Sequence, residues 1–264
     1  MHDKSFKWVW AGASVQGTSH IATGAPKQDS AAFAEYRTGV NSVAVAVVCD
    51  GAGSAAHSEV GSRLACQCAQ SLIGRQLASN ASVGKINKAL AESWISEIGN
   101  ALLQKAQDLG KQIKDLATTI TIVIAGDDAT IVIMVGDSPC VVHDGKSWLA
   151  PIWPMRGEYA NQTYFITQTP IPVWDFAIID NRIEKFSVFT DGIDKLVLKE
   201  KSREVFQPFF DGLFNELRAS QSGRRDRACS TSLGKFLDSE RVNALADDDK
   251  TLIIARRSGG VFGG

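Results

Sequence analysis

The sequence predicts an α+β fold in which antiparallel sheets are covered by pairs of helices. Stretches with strand character come in blocks joined by tight turns. Helical periodicities come in pairs. Nothing in the chain alternates strand and helix regularly, as a parallel sheet requires.

Residues 8–15, 31–36 and 43–49 read as the opening strands, and the third is apolar throughout. Two helical stretches follow. From Ser58 onward, Val60, Leu64, Cys68 and Leu72 recur every four residues. A longer stretch sets Ile86, Leu90, Trp94, Ile98 and Leu102, then Leu109, Ile113 and Leu116, on one stripe. Such a stripe is core-forming and needs a surface to bury against. Strands return at 118–125 and 130–135, separated by the hairpin turn Gly126-Asp127-Asp128. A second hairpin is expected at His143-Asp144-Gly145-Lys146, between 140–142 and 147–149. Residues 150–175 carry Pro151, Pro154, Pro170 and Pro172 and are expected to form a surface excursion near the site, a flap or lid. A strand at 185–190 follows. Val205, Phe206, Phe209, Phe210, Leu213, Phe214 and Leu217 then make a heavy helical face. A last strand at 251–256 precedes a Gly-rich tail, 258–264, expected to be disordered. The expectation is one domain over 1–257.

A chain of 264 residues can bury a substantial core. Its 28 basic and 29 acidic residues give a net charge of −1, so no global field draws it to nucleic acid or to an anionic membrane. The run Arg224, Arg225, Arg227 reads as a solvated helix face. Five cysteines, none in a CxxC pair or zinc-type spacing, read as reduced thiols. The N-terminus lacks the pattern of a signal peptide, and no apolar run is long enough to span a bilayer, so a soluble cytoplasmic protein is expected.

The chemistry lies in the acidic residues. Three aspartates end apolar strand runs: Asp50 after 43–49, Asp137 in IVIMVGDS, and Asp191 in FSVFTDGID. A fourth, Asp248, with Asp247 and Asp249 beside it, precedes the run 252–255. Each Asp-Gly alone is an ordinary turn dipeptide. Together they deliver hard oxygen ligands to strand ends, the requirement of a Mg²⁺ or Mn²⁺ site. Such cations suit hydrolysis of a phosphate monoester, whose dianion otherwise repels a hydroxide nucleophile. No phosphoenzyme is needed. Ser54 sits near Asp50, but no base is placed beside it, and a turn or cap role is the expectation.

Six short motifs occur in order: Gln28-Asp29-Ser30, Val48-Cys49-Asp50-Gly51-Ala52-Gly53-Ser54, Ala117-Thr118-Thr119, Val135-Gly136-Asp137-Ser138, Phe189-Thr190-Asp191-Gly192-Ile193 and Asp248-Asp249-Lys250-Thr251. In this set the chain resembles the type 2C (PPM) family of metal-dependent serine/threonine protein phosphatases. Gly17-Thr18-Ser19-His20 and the run 24–29 are similar to its bacterial branch. The resemblance implies a central sandwich of two antiparallel sheets flanked by antiparallel helices, in α-β-β-α layers. It implies a binuclear Mn²⁺ or Mg²⁺ centre, with a third, weaker ion. Asp50 would bridge the two ions, the carbonyl of Gly51 would bind one, and Asp191 and Asp248 the other. Asp249, in the family's Asn place, is the fallback for Asp248. Asp29 would hold metal-bound water, and Asp137 would help hold the third ion. A phosphorylated protein would be the substrate, a serine/threonine kinase the cognate partner, and the active form a monomer.

Departures are visible. Gly24 stands where many members carry a phosphate-gripping arginine, leaving Lys27 or His20 as replacements. Ala52 stands where eukaryotic members often carry a histidine, leaving His20 or His57 as acids. Gln28 replaces a frequent glutamate, and Arg156 is a candidate phosphate contact in the flap. These losses motivate one alternative, a pseudophosphatase that binds phosphoproteins or regulates a partner. A phosphoaspartate-accepting signalling domain fits poorly, because such domains alternate strands and helices.

Overall fold

One strand dictates the layers. Along Asn41–Cys49, residues Val43, Val45, Val47 and Cys49 face one side, Ala44, Ala46 and Val48 face the other, and all are buried. A strand with two apolar faces needs cover on both. The computed structural model, which describes residues 7–38, 41–79, 82–154, 163–168, 173–199, 201–218 and 225–258, supplies it.

In chain order the strands are β1 (Lys7–Val15), β2 (Ser30–Thr38), β3 (Asn41–Cys49), β4 (Ile120–Ala125), β5 (Thr130–Val135), β6 (Cys140–His143), β7 (Trp148–Leu149), β8 (Asp175–Ile179), β9 (Lys185–Phe189), β10 (Leu198–Lys199), β11 (Glu204–Val205) and β12 (Lys250–Ser258). The helices are α1 (Thr18–Thr23), α2 (Ser58–Ala78), α3 (Lys88–Asp108), α4 (Asp194–Val197), α5 (Gln207–Glu216), α6 (Arg227–Leu237) and α7 (Glu240–Asn243). Two five-stranded antiparallel sheets form, in the orders β1-β12-β9-β6-β7 and β2-β3-β4-β5-β8, and β10 pairs with β11 in a short separate ribbon.

Between the sheets lie Trp8, Val48, Val132, Met134, Phe186, Val188 and Ile253. Outside the β2–β8 sheet, α2 and α3 bury Ile73, Leu77, Ile95, Ile98 and Leu102. Outside the β1–β7 sheet, α5 and α6 bury Phe210, Phe214, Leu233 and Leu237. Each fully buried side chain of this kind contributes roughly 1.5–3 kcal/mol. The result is the α-β-β-α order expected of the chain.

Several sequence expectations shift. The stripe through Leu116 is not one helix: α3 ends at Asp108, Gly110 takes a left-handed φ of 65°, and Ile113–Leu116 forms a separate 3-10 turn. Strand β8 starts at Asp175, at the edge of the predicted excursion. Helix α1 carried no clear apolar periodicity and was not anticipated, and of α6 only the basic run at its start was read as helical. Ser258 closes β12 and is not part of a tail. Arg225 precedes α6 and lays its guanidinium 4.9 Å from the Trp10 ring, Arg227 opens α6 as an exposed residue, and Arg224 lies outside the described residues.

The registers bring the acidic motifs to one end of the sandwich. Ser30 pairs with Cys49, setting Asp29 beside Asp50. Ile120 pairs with Val135, setting Thr118 and Thr119 near Gly136-Asp137. Leu252 pairs with Phe189, and Val15 with Lys250, setting Asp191 beside the Asp248-Asp249 turn. At the far end of β12, buried Arg257 stacks 4.5 Å from Trp8 and pairs with Asp127, tying the two sheets together.

Candidate metal centre

The end of β3 is held by the segment 117–119. Thr118 Oγ1 and Thr119 N each donate to the Asp50 carbonyl at 2.8 Å, and Asp50 N donates to Thr119 Oγ1 at 3.0 Å. Ala52 N donates to Ala117 O at 2.9 Å. The predicted start of a strand at Thr118 is thus a clamp on Asp50, and β4 begins two residues later. Gly51 is glycine because a Cβ there would lie 2.7 Å from Gln28 O and 2.9 Å from Ser58 Cβ. Gly192 is constrained likewise, its Cβ position being 2.2 Å from Asp249 O. Two backbone turns can therefore meet where side chains would hold them apart.

Asp29 is buried at the junction of the sheets. Its Oδ2 accepts from Thr190 Oγ1 at 2.8 Å and Thr251 Oγ1 at 2.6 Å. Thr251 N donates to Thr190 Oγ1 at 3.0 Å, so both hydroxyls have fixed roles. Its Oδ1 is buried without a hydrogen-bond partner among the described residues. A buried carboxylate oxygen left in this way costs free energy unless something in the site uses it.

Asp249 does different work. Its Oδ1 accepts from Gly17 N at 2.7 Å and meets His20 Nδ1 at 2.9 Å. Its Oδ2 accepts from Gln28 N at 2.5 Å and Asp29 N at 3.2 Å. Four contacts occupy both oxygens, which fix the loop carrying α1 and Asp29 onto β12. Asp248 is left exposed, with His20 Nε2 3.8 Å from its Oδ1. Among the described residues His20, Asp248 and Asp249 lie close enough to group around a cation, but the His20–Asp249 contact is already a hydrogen bond. Asp248 Oδ1 accepts from Asp249 N at 2.7 Å, so Asp248 is the less engaged carboxylate of this turn and Asp249 the more engaged.

The carboxylates lie within electrostatic reach of one another. Burial, with Asp29, Asp191 and Asp248 nearby, pushes the Asp50 carboxyl well above the usual range. Burial and the charges of Asp137, Asp194 and Asp248 raise Asp191 to about 6. Burial and the charge of Asp249 raise Asp29 to about 7, against the pull of Thr251, Thr190 and Lys27. Anions crowded to this degree are stabilised by a shared cation or by protons. Oxygen-only donors and the unused Asp29 Oδ1 fit a hard divalent ion.

The other predicted residues fall as follows. Asp137 is buried and accepts from Thr163 Oγ1 at 2.8 Å. Gly24 is the exposed C-cap of α1. Lys27, a candidate phosphate grip, is tethered instead: its Nζ donates to Ser14 Oγ at 2.7 Å and Asp29 O at 2.5 Å. Ser54 lies in an exposed turn and does not cap α2, whose N-cap position is His57. His57 bonds through its backbone to Asp115 O at 2.8 Å, and among the described residues no hydrogen bond or ion pair ties its ring to the acidic cluster. Arg156 lies outside the described residues. Sequence reasoning missed the roles of Thr190, Thr251 and Ser14. Thr190 directly precedes Asp191 and Thr251 closes the Asp248-Asp249-Lys250-Thr251 motif, which was the available signal.

Comparisons with known proteins place the chain in a family. The family profile described as "Protein phosphatase 2C" matches residues 16–238. The chain is 34% identical over 253 residues to "Serine/threonine-protein phosphatase 3" of Escherichia coli (strain K12), covering 94% of this chain and 98% of that one. It superposes on serine/threonine phosphatase Stp1 from Staphylococcus aureus with a TM-score of 0.62 at 16% identity, over 97% of each chain. It superposes on the catalytic domain of the serine threonine protein phosphatase PstP, solved in complex with two manganese ions, with a TM-score of 0.61 at 15% identity, over 97% of this chain and 100% of that one. With a family match over most of its length, a full-length relative and a shared fold, the chain belongs to the protein phosphatase 2C family.

Proposed function

We propose that this chain hydrolyses phosphoserine and phosphothreonine in proteins at a binuclear divalent-metal centre, without a phosphoenzyme. The observation that carries the reading is the convergence of Asp50, Asp191, Asp248 and Asp29 at one end of the sandwich, with three of these carboxyls raised by burial and mutual repulsion. The family membership, the phosphatase relative and a neighbour solved with manganese support it.

Asp50, the Gly51 carbonyl, Asp191 and Asp248 would hold two Mn²⁺ or Mg²⁺ ions, and Asp137 would help hold a third. When bound, the ions offset the phosphate dianion and lower the pKa of water. The protein's own part is positional. The Thr118–Thr119 clamp fixes Asp50 through its backbone. Thr190 and Thr251 occupy one oxygen of Asp29 and leave Oδ1 to accept a hydrogen bond from the attacking water. Asp249 keeps Asp29 in place through its backbone N–H. The chain acts as a monomer on phosphorylated proteins, opposing a serine/threonine kinase. No described helix is long and apolar enough to cross a membrane.

The test is phosphate release from phosphoserine and phosphothreonine peptides with Mn²⁺, with Mg²⁺ and with chelator. Release that requires metal is expected. A folded, metal-loaded protein that releases none rejects hydrolysis. That outcome favours the pseudophosphatase reading, which Gly24 and Ala52 motivate and the intact carboxylate set opposes.

A further inference from the structure

Beside the carboxylate site lies a second, oppositely charged feature. The two sheets leave one side of the sandwich open where edge strands β1 and β2 face each other. There a cleft of about 450 Å³ runs from Ser14 and Lys27 to Trp10 and Phe33, with Arg63 of α2 and Arg225 also on its wall. From Ser14 to Trp10 along β1 is roughly 13 Å, the reach of about four extended residues.

Three cations line this cleft in a chain whose basic and acidic residues nearly cancel. Its one acidic lining residue, Asp29, turns its carboxylate away to Thr190 and Thr251. Among the described residues, no carboxylate forms an ion pair with Lys27, Arg63 or Arg225; Glu59, one helical turn from Arg63, does not reach it. Two of the cations are held in place. Arg225 stacks on Trp10, which itself stacks on Phe33 at 4.6 Å, and reaches Gly12 O at 3.4 Å. Lys27 is fixed by Ser14 Oγ and the Asp29 carbonyl. The Asp29 charge offsets Lys27 in part, but Arg63 and Arg225 have no carboxylate partner among the described residues, and positive groups of this kind favour an anionic partner.

Continuity with the site says which partner. Lys27 shares the Asp29 backbone, and Ser14 Oγ meets Thr251 Oγ1 at 2.7 Å, so the cleft starts at the wall of the carboxylate cluster. We infer that the cleft binds an anionic segment flanking the phosphorylated residue, so the preferred substrates are phosphoproteins with acidic side chains, or a second phosphate, within about four residues of the target. This inference rests on the hydrolase reading for its substrate, but its test does not depend on turnover.

Binding is read by fluorescence anisotropy of labelled phosphothreonine peptides on the Mn²⁺-loaded full chain. Flanks of alanine, glutamate or phosphoserine are compared, and phosphate release is followed separately with these peptides and a small aryl phosphate. Arg63→Glu tests an exposed side chain with no described partner, and Arg225→Gln is the second variant. The glutamate or phosphoserine flank is expected to bind roughly three- to tenfold more tightly than alanine, and Arg63→Glu to erase most of that gain. Which flank binds more tightly separates carboxylate from phosphate as the source of charge. Aryl phosphate turnover should be unchanged in both variants. Equal binding of all three flanks by the unmodified protein, or an acidic-flank preference that survives both substitutions, overturns the inference. Loss of aryl phosphate turnover in the unmodified protein would instead count against the hydrolase reading, with the binding data still deciding the cleft.

Discussion

Asp191→Asn is expected to lower phosphopeptide turnover by roughly a hundredfold or more, and Asp50→Asn to do the same, because each removes a negative charge that holds the cations. The same substitutions should stabilise the metal-free protein. A carboxyl whose folded-state pKa lies above its unfolded value binds more protons when folded. Its favourable contribution is full below the unfolded value of 3.8 and is lost as pH rises through the folded one, about 6 for Asp191. For Asp191 that loss is on the order of 2–3 kcal/mol. Metal-free wild type should therefore melt at progressively lower temperature between pH 4 and 7. The gap to Asp191→Asn should widen over the same range and close when Mn²⁺ is added. Steady-state kinetics and thermal melts across pH check both halves. Near-normal rates in both variants, or metal-free variants that melt below wild type at neutral pH, would count against the account.

Asp249→Asn is expected to destabilise the fold by about 2 kcal/mol, and Asp249→Ala by about 3 kcal/mol or more. Both Asp249 oxygens accept from backbone N–H groups of Gly17, Gln28 and Asp29, with His20 as a fourth contact. An amide keeps one acceptor and turns an N–H₂ toward the remaining donors. The family's Asn at this place is thus not interchangeable with the Asp here. Mn²⁺ affinity should survive Asp249→Asn and fall in Asp248→Asn, whose stability should be close to wild type. Urea melts and metal titrations on the two variants separate an anchoring role from a ligand role. The assignment fails if the two profiles are reversed.

Much of this was legible in the chain. The unbroken apolar run before Asp50 is what a strand buried on two faces requires, and the four-residue stripes located α2 and most of α3. The motif aspartates were legible because strand ends are punctuated by Asp-Gly. The continuation past Asp108 misled because Leu109, Ile113 and Leu116 keep the helical spacing across Gly110, which instead turns the chain. Strand β8 was hidden by the proline-rich stretch before it. The anchoring of Asp249, the threonine pair on Asp29 and the tethering of Lys27 join residues more than 200 apart or bridge two sheets, and local pattern carries no such information. The cationic cleft is similarly assembled from β1, the approach to β2, α2 and the residue before α6.

The central claim is that the carboxylates of residues 50, 191 and 248 together retain divalent cations. Isothermal titration of Mn²⁺ into chelator-stripped protein, paired with Asp50→Asn and Asp191→Asn, addresses it most directly. The account predicts at least two ions bound per chain in wild type and loss of the tighter sites in both variants. Wild-type protein that takes up no Mn²⁺, or variants that titrate as wild type does, would contradict it.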